Sequence, residues 1–145
     1  MSNKHEFRLE IEPMGAVRST QKGQFTKAVT KYHDWMKQVG WLWKIEVLKN
    51  KLNPEFVIPE EIDYITFALS IPDPSKGTKK EQEDRLSLIG NPHKKKPDID
   101  NLFKAFVDAV CYKKDDSHVH TVCNMRKIYA PYNQGHIIIG FRLPL

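Results

Sequence analysis

Two aspartates two residues apart, Asp98 and Asp100, stand between a basic run, Lys94-Lys95-Lys96-Pro97, and an apolar periodic stretch from Leu102 to Val110. A second acidic pair, Asp115-Asp116, follows Lys113-Lys114 and leads into Ser117-His118-Val119. Carboxylates packed this closely repel, by about 4 kcal/mol at a separation of roughly 4 Å and an effective dielectric near 20. A bound cation removes that cost, and hard oxygen donors suit Mg²⁺, with Mn²⁺ as a substitute. The competing reading is that one aspartate caps a helix and the other is solvated, since Asp is favoured at helix starts. The second acidic pair and the flanking lysines weigh toward a metal site. A metal bridges acidic ligands to a phosphate, and the lysines Lys94, Lys95 and Lys96 neutralise the phosphates on either side.

The elements that position these groups are legible. Pro97 biases Lys96 toward an extended conformation, so no helix runs through that point. From Asn101 to Cys111 the pattern is helical: Leu102, Phe106, Ala109 and Val110 recur at helical spacing, and Phe103 and Val107 widen the apolar face. Asn101, Lys104 and Asp108 form a narrow polar stripe, with Lys104 four residues from Asp100. From Ser117 to Tyr129 the chain reads as a strand, in which Asp116, His118 and His120 share a face.

Upstream, Phe7 to Glu12 alternates apolar and charged residues, as a half-buried strand does. Val17 to Gln24 reads as an exposed basic loop, in which Arg18 and Lys22 are either DNA-backbone contacts or simply solvated. Thr26 caps a helix from Lys27 to about Val39, and Gly40 stops or bends it before a second helical piece, Trp41 to Leu48. The tryptophans read as core residues. Asn50 to Ile62 is a connector, and Tyr64 to Ile71 is the clearest strand. Ser75 to Lys96 is a long polar excursion whose middle, Lys79 to Ile89, is compatible with a short helix. Pro131 to Gly135 reads as a hairpin loop before a final strand, His136 to Leu143. The order strand, helix, strand, helix, strand, strand predicts one α+β domain spanning residues 1–145. One mixed sheet would carry helices mainly on one face.

The motif Pro97-Asp98-Ile99-Asp100-Asn101-Leu102-Phe103-Lys104, followed by Asp108-Ala109-Val110 and Asp115-Asp116-Ser117-His118-Val119, resembles the RusA family of Holliday-junction resolvases. A weaker match covers Arg18 and Gly23-Gln24-Phe25-Thr26. The resemblance implies a Mg²⁺-dependent homodimeric endonuclease that cuts four-way DNA junctions by paired nicks. It matches Asp98, Asp100 and Asp116 to the family's essential acids and Lys104 to its important lysine. Asp108, Asp115 and His118 are second-rank candidates around them. The sequence departs from the family pattern in a shorter gap before Asp115-Asp116, in His118 where the family often has Gln, and in a long segment before the helix.

Composition narrows the alternatives. The chain has 145 residues and a net charge of +5, which suits a nucleic-acid partner. No apolar run is long enough to cross a membrane, and the first residues lack a signal peptide's apolar core. Two cysteines, Cys111 and Cys123, give no disulfide framework, so a reducing cytoplasm is the expected location, and the family resemblance implies that of a bacterial or phage-infected host cell. Cys111, His118, His120 and Cys123 fit no familiar zinc spacing and read as small buried cysteines beside strand histidines. There is no glycine-rich phosphate loop and no nucleophile elbow. Two alternatives to a junction resolvase stay open: a junction-binding module without catalysis, and a nuclease that prefers flaps or forks.

Overall fold

A computed structural model describes residues 3–17, 26–111 and 118–144. The elements are β1 (Lys4–Leu9), α1 (Lys27–Lys49), β2 (Glu61–Ile62), β3 (Tyr64–Ser70), α2 (Lys79–Ser87), α3 (Ile99–Val110), β4 (Thr121–Val122), β5 (Met125–Ala130) and β6 (His136–Arg142). Four strands form a mixed sheet in the order β1-β6-β3-β5. β6 is antiparallel to both β1 and β3, whereas β3 and β5 are parallel. Parallel neighbours need a long crossover, and residues 71–124, which contain α2 and α3, provide it. This is the α+β architecture expected, with α1 and α3 on one face of the sheet. Beside the sheet lies a small parallel pair, β2 with β4.

Ile65, Phe67 and Leu69 of β3 line the helix-covered face, together with Ile137, Ile139 and Phe141 of β6. α1 presents Val29, Tyr32, Trp35, Val39, Trp43 and Val47 to this face, a stripe of three- and four-residue steps. Phe7, Trp43 and Phe141 form its aromatic centre, with Phe7–Trp43 and Phe7–Phe141 centroids 4.8 and 5.2 Å apart, both edge-on.

Five expectations are corrected. Thr26 does cap α1, its hydroxyl accepting from the Val29 N–H at 3.3 Å, but Gly40 does not interrupt the helix. Val39, Trp43 and Val47 keep one buried stripe across the glycine, and that burial outweighs the ~1 kcal/mol propensity cost of Gly. Trp41 lies off the stripe and is 67% exposed, so it is not a core residue. The expected strand through Ser117–Tyr129 is two strands, β4 and β5, separated by a bend at Cys123, which is exposed rather than buried. Residues 131–135 do not make a hairpin, because β5 and β6 flank β3 on opposite sides and their connection passes over its end. Tyr32 Oη donates to Asp108, and α3 packs with α1 over the sheet.

Candidate active site

Asp98 and Asp100 sit at the start of α3, which begins two residues earlier than the sequence pattern suggested. Asp98 occupies the N-cap position with extended backbone angles (φ −67°, ψ 151°), yet its side chain makes no capping hydrogen bond. Its backbone carbonyl accepts from Leu102 N–H at 3.0 Å, so the helix starts normally while the carboxylate is left out of it. Asp100 lies in the first turn and is exposed; one of its oxygens accepts from the Asn101 N–H at 3.0 Å. Negative charge is favoured at this helix end by the backbone dipoles. The apolar side of α3 is Leu102, Ala105, Phe106 and Ala109, all buried against the core, which fixes the helix and turns its N-terminus outward.

The two aspartates face two open clefts. One is lined also by Met14, Gly15, Lys96, Pro97 and Asn101. The other runs along β5 and includes His93, Met125, Arg126 and Lys127. Lys94, Lys95 and Lys96 are exposed beside them. Lys104 is exposed one turn along α3 and, among the described residues, forms no ion pair with Asp100 or Asp108.

Asn101 joins the first cleft to the N-terminal segment. Its carbonyl accepts from the Ala16 N–H at 3.3 Å, and its side-chain amide donates to the Ala16 carbonyl at 3.3 Å. Gly15 lies so close that an added Cβ would stand 2.6 Å from the Asn101 amide and 3.0 Å from Pro97. This contact anchors the chain next to the acidic turn just before Arg18.

On the other side, residues 90–93 run antiparallel to β5. Gly90 N–H donates to Tyr129 O, Tyr129 N–H to Asn91 O and His93 N–H to Lys127 O, at 2.9, 3.0 and 2.9 Å. The Lys127 ammonium donates to the carbonyls of Lys95 (2.5 Å) and Pro97 (2.8 Å). The acidic turn is thereby hung from the sheet edge by a residue that the sequence pattern did not single out. Burial and then the positive charge of Lys127 push the His93 imidazole below its ordinary value, and its ring stacks at a tilt on Tyr129, centroids 4.5 Å apart.

The remaining candidates divide. Asp108 accepts from Tyr32 Oη at 3.2 Å. His118 donates from Nε2 to the Ile58 carbonyl at 2.6 Å, packs against the connector before β2 and lines neither aspartate cleft. His120 meets Thr121 and Glu60, and neither it nor His118 lies in a strand. Arg18, Lys22, Asp115 and Asp116 lie outside the described residues. Among the described residues no group of three or more His, Cys, Asp or Glu is placed to hold a metal. The donor chemistry nevertheless fits a hard divalent cation: two exposed carboxylates, one withheld from the helix end it would ordinarily cap.

No helix among the described residues is long and apolar enough to cross a membrane. A search of curated proteins found no match to the chain. The family model described as endodeoxyribonuclease RusA matches residues 10–139, which takes in α1 through most of β6 and every element of the site. The chain therefore belongs to the RusA endodeoxyribonuclease family.

Proposed function

We propose that the chain is a Mg²⁺-dependent endonuclease that resolves four-way DNA junctions by paired nicks, with residues 1–145 forming one endonuclease domain. Family membership supplies the reaction class. The observation that carries the site assignment is the Asp98 carboxylate, which stands at the N-cap of α3 without capping it and shares both clefts with Asp100.

In this reading Asp98, Asp100 and Asp116 hold the cation, Mg²⁺ or Mn²⁺ in its place. When bound, such an ion activates water and offsets charge on the phosphate and its leaving oxygen. Lys104, one turn along α3 from Asp100, presents an ammonium where negative charge develops. Arg18, Lys22, Lys94, Lys95 and Lys96 grip backbone phosphates, which fixes the strand without reading its sequence. Asp115 is a further candidate beside Asp116 in the sequence, whereas Asp108, bonded to Tyr32, and His118, bonded to the Ile58 carbonyl, stand apart from the aspartate clefts. A four-way junction has two strands to cut, and a two-fold homodimer presents two matched sites. The protein acts on DNA in the cytoplasm of a bacterial or phage-infected cell.

The test separates cutting from holding. Asp98→Asn, Asp100→Asn and Asp116→Asn should each bind a four-way junction as tightly as the wild type or tighter, because a negative group facing phosphate is removed. Each should cut at least about a hundredfold more slowly, the loss expected when a group central to charge stabilisation goes. Tight binding with no cutting by the wild-type protein in Mg²⁺ or Mn²⁺ would make the chain a junction-binding module instead.

A further inference from the structure

We propose that Lys127 is a positioning residue for the acidic turn: its ammonium, bonded to the carbonyls of Lys95 and Pro97, fixes the backbone from which Asp98 reaches the cleft. The inference rests on the reading of Asp98 and Asp100 as cation ligands.

The geometry separates Lys127 from the other lysines of the region. Lys94, Lys95, Lys96 and Lys104 are exposed, whereas Lys127 is half-buried. Two of its three N–H donors are committed to backbone oxygens at 2.5 and 2.8 Å. Hydrogen bonds from a charged donor are roughly twice as strong as neutral ones. The Pro97 carbonyl belongs to the peptide that leads directly into Asp98, so the bond acts one residue from the carboxylate.

The post itself is rigid. Lys127 is paired with Phe67 across the parallel β3–β5 ladder, and Phe67 is fully buried. On its other edge the Lys127 carbonyl accepts from His93 N–H, so both the strand and the incoming loop are fixed on the same residue. What this secures is a choice that helix physics would otherwise decide differently. An N-cap aspartate ordinarily turns its carboxylate onto the N–H groups of the first helical turn, a favoured contact. Asp98 does not make it. With the Lys95–Pro97 segment released, that capping bond becomes the competing resting place for the carboxylate, and a cation ligand is lost from the cleft.

The experiment compares Lys127→Met and Lys127→Arg with the wild type and with Asp98→Asn, each checked by far-UV circular dichroism. Mn²⁺ binding to the protein without DNA is followed by the electron paramagnetic resonance of free Mn²⁺. Junction binding is measured in EDTA, and cleavage is measured against Mg²⁺ concentration. Lys127→Met should bind Mn²⁺ about tenfold or more weakly, the usual scale for a group that orients metal ligands. It should need correspondingly more Mg²⁺ to cut and should bind the junction in EDTA as the wild type does. Lys127→Arg, whose guanidinium also reaches two carbonyls, should recover to within about threefold. If Lys127→Met does not fold, Lys127→Gln, which keeps one donor bond, takes its place with a smaller loss of Mn²⁺ affinity. Unchanged Mn²⁺ affinity in the Met or Gln variant overturns the proposal, and a tenfold loss of junction binding in EDTA makes Lys127 a phosphate contact. If Asp98→Asn itself binds Mn²⁺ like the wild type, the reading of the aspartates fails, independently of Lys127.

Discussion

The hydroxyl of Tyr32, on α1, donates to the carboxylate of Asp108, on α3, at 3.2 Å. Asp108 lies eight residues beyond Asp100, so this bond pins α3 about two turns past the acidic pair. In the sequence Asp108 is the neighbour of Lys104 on the polar stripe. The fold gives it instead to a phenol that is only 4% exposed.

Removing that phenol has a pH signature. Burial, then the charge of Asp108 and the bond to it, push the Tyr32 phenol well above its ordinary value of 10.0. Because the folded state raises this value, the stabilisation is fully present below pH 10 and is lost as the pH rises beyond it. Tyr32→Phe should cost about 1.5–3 kcal/mol at neutral pH, as for other hydrogen bonds to charged groups. It should also lose less further stability than the wild type on going to strongly alkaline solution. Urea denaturation across that range measures both.

The two tryptophans of the middle of α1 should behave oppositely. Trp43 is 4% exposed and packs edge-on against Phe7 and Phe106, whereas Trp41 is 67% exposed. Trp43→Ala is expected to lose about 3–5 kcal/mol. Trp41→Ala should change stability by no more than about 0.5 kcal/mol. Chemical denaturation of the two variants gives the comparison.

The Lys94–Lys96 run should reveal itself through salt. All three side chains are exposed beside the clefts. Each phosphate contact contributes about 0.9 to the slope of log affinity against log salt on duplex arms. Replacing all three by Ala should reduce that slope by roughly 2.7 and weaken binding alike on all sequences. Fluorescence anisotropy over a salt series reads this; an unchanged slope would place DNA elsewhere on the protein.

Local patterns carried much of the fold. β3 was legible because Tyr64–Ser70 is a β-branched and aromatic run closed by Pro72, and α1 because Thr26 precedes a regular apolar stripe. The short helix α2 was legible in Lys79–Ser87, where Thr78 and Glu81 form a capping box. What the sequence hid was non-local. Whether Gly40 breaks a helix depends on what Trp43 packs against, and the two-residue pairing of β2 with β4 leaves no periodicity to read. The side-by-side placement of β3 and β5 follows from a crossover of more than fifty residues. In the site, Asp98 and Asp100 were visible because two carboxylates at that spacing before a helix are chemically conspicuous. Lys127 was not, since a lysine in a strand looks solvated until the loop that it holds is seen beside it.

The central claim is metal-dependent cutting of a branched substrate at the acidic turn. The direct measurement uses a labelled four-way junction beside a linear duplex and a flap, in Mg²⁺ and in EDTA, with Asp100→Asn in parallel. The account predicts paired, symmetric nicks on the junction in Mg²⁺, none in EDTA, and none from the variant despite undiminished binding. Cutting that persists in EDTA, or an Asp100→Asn protein that nicks as fast as the wild type, would contradict it.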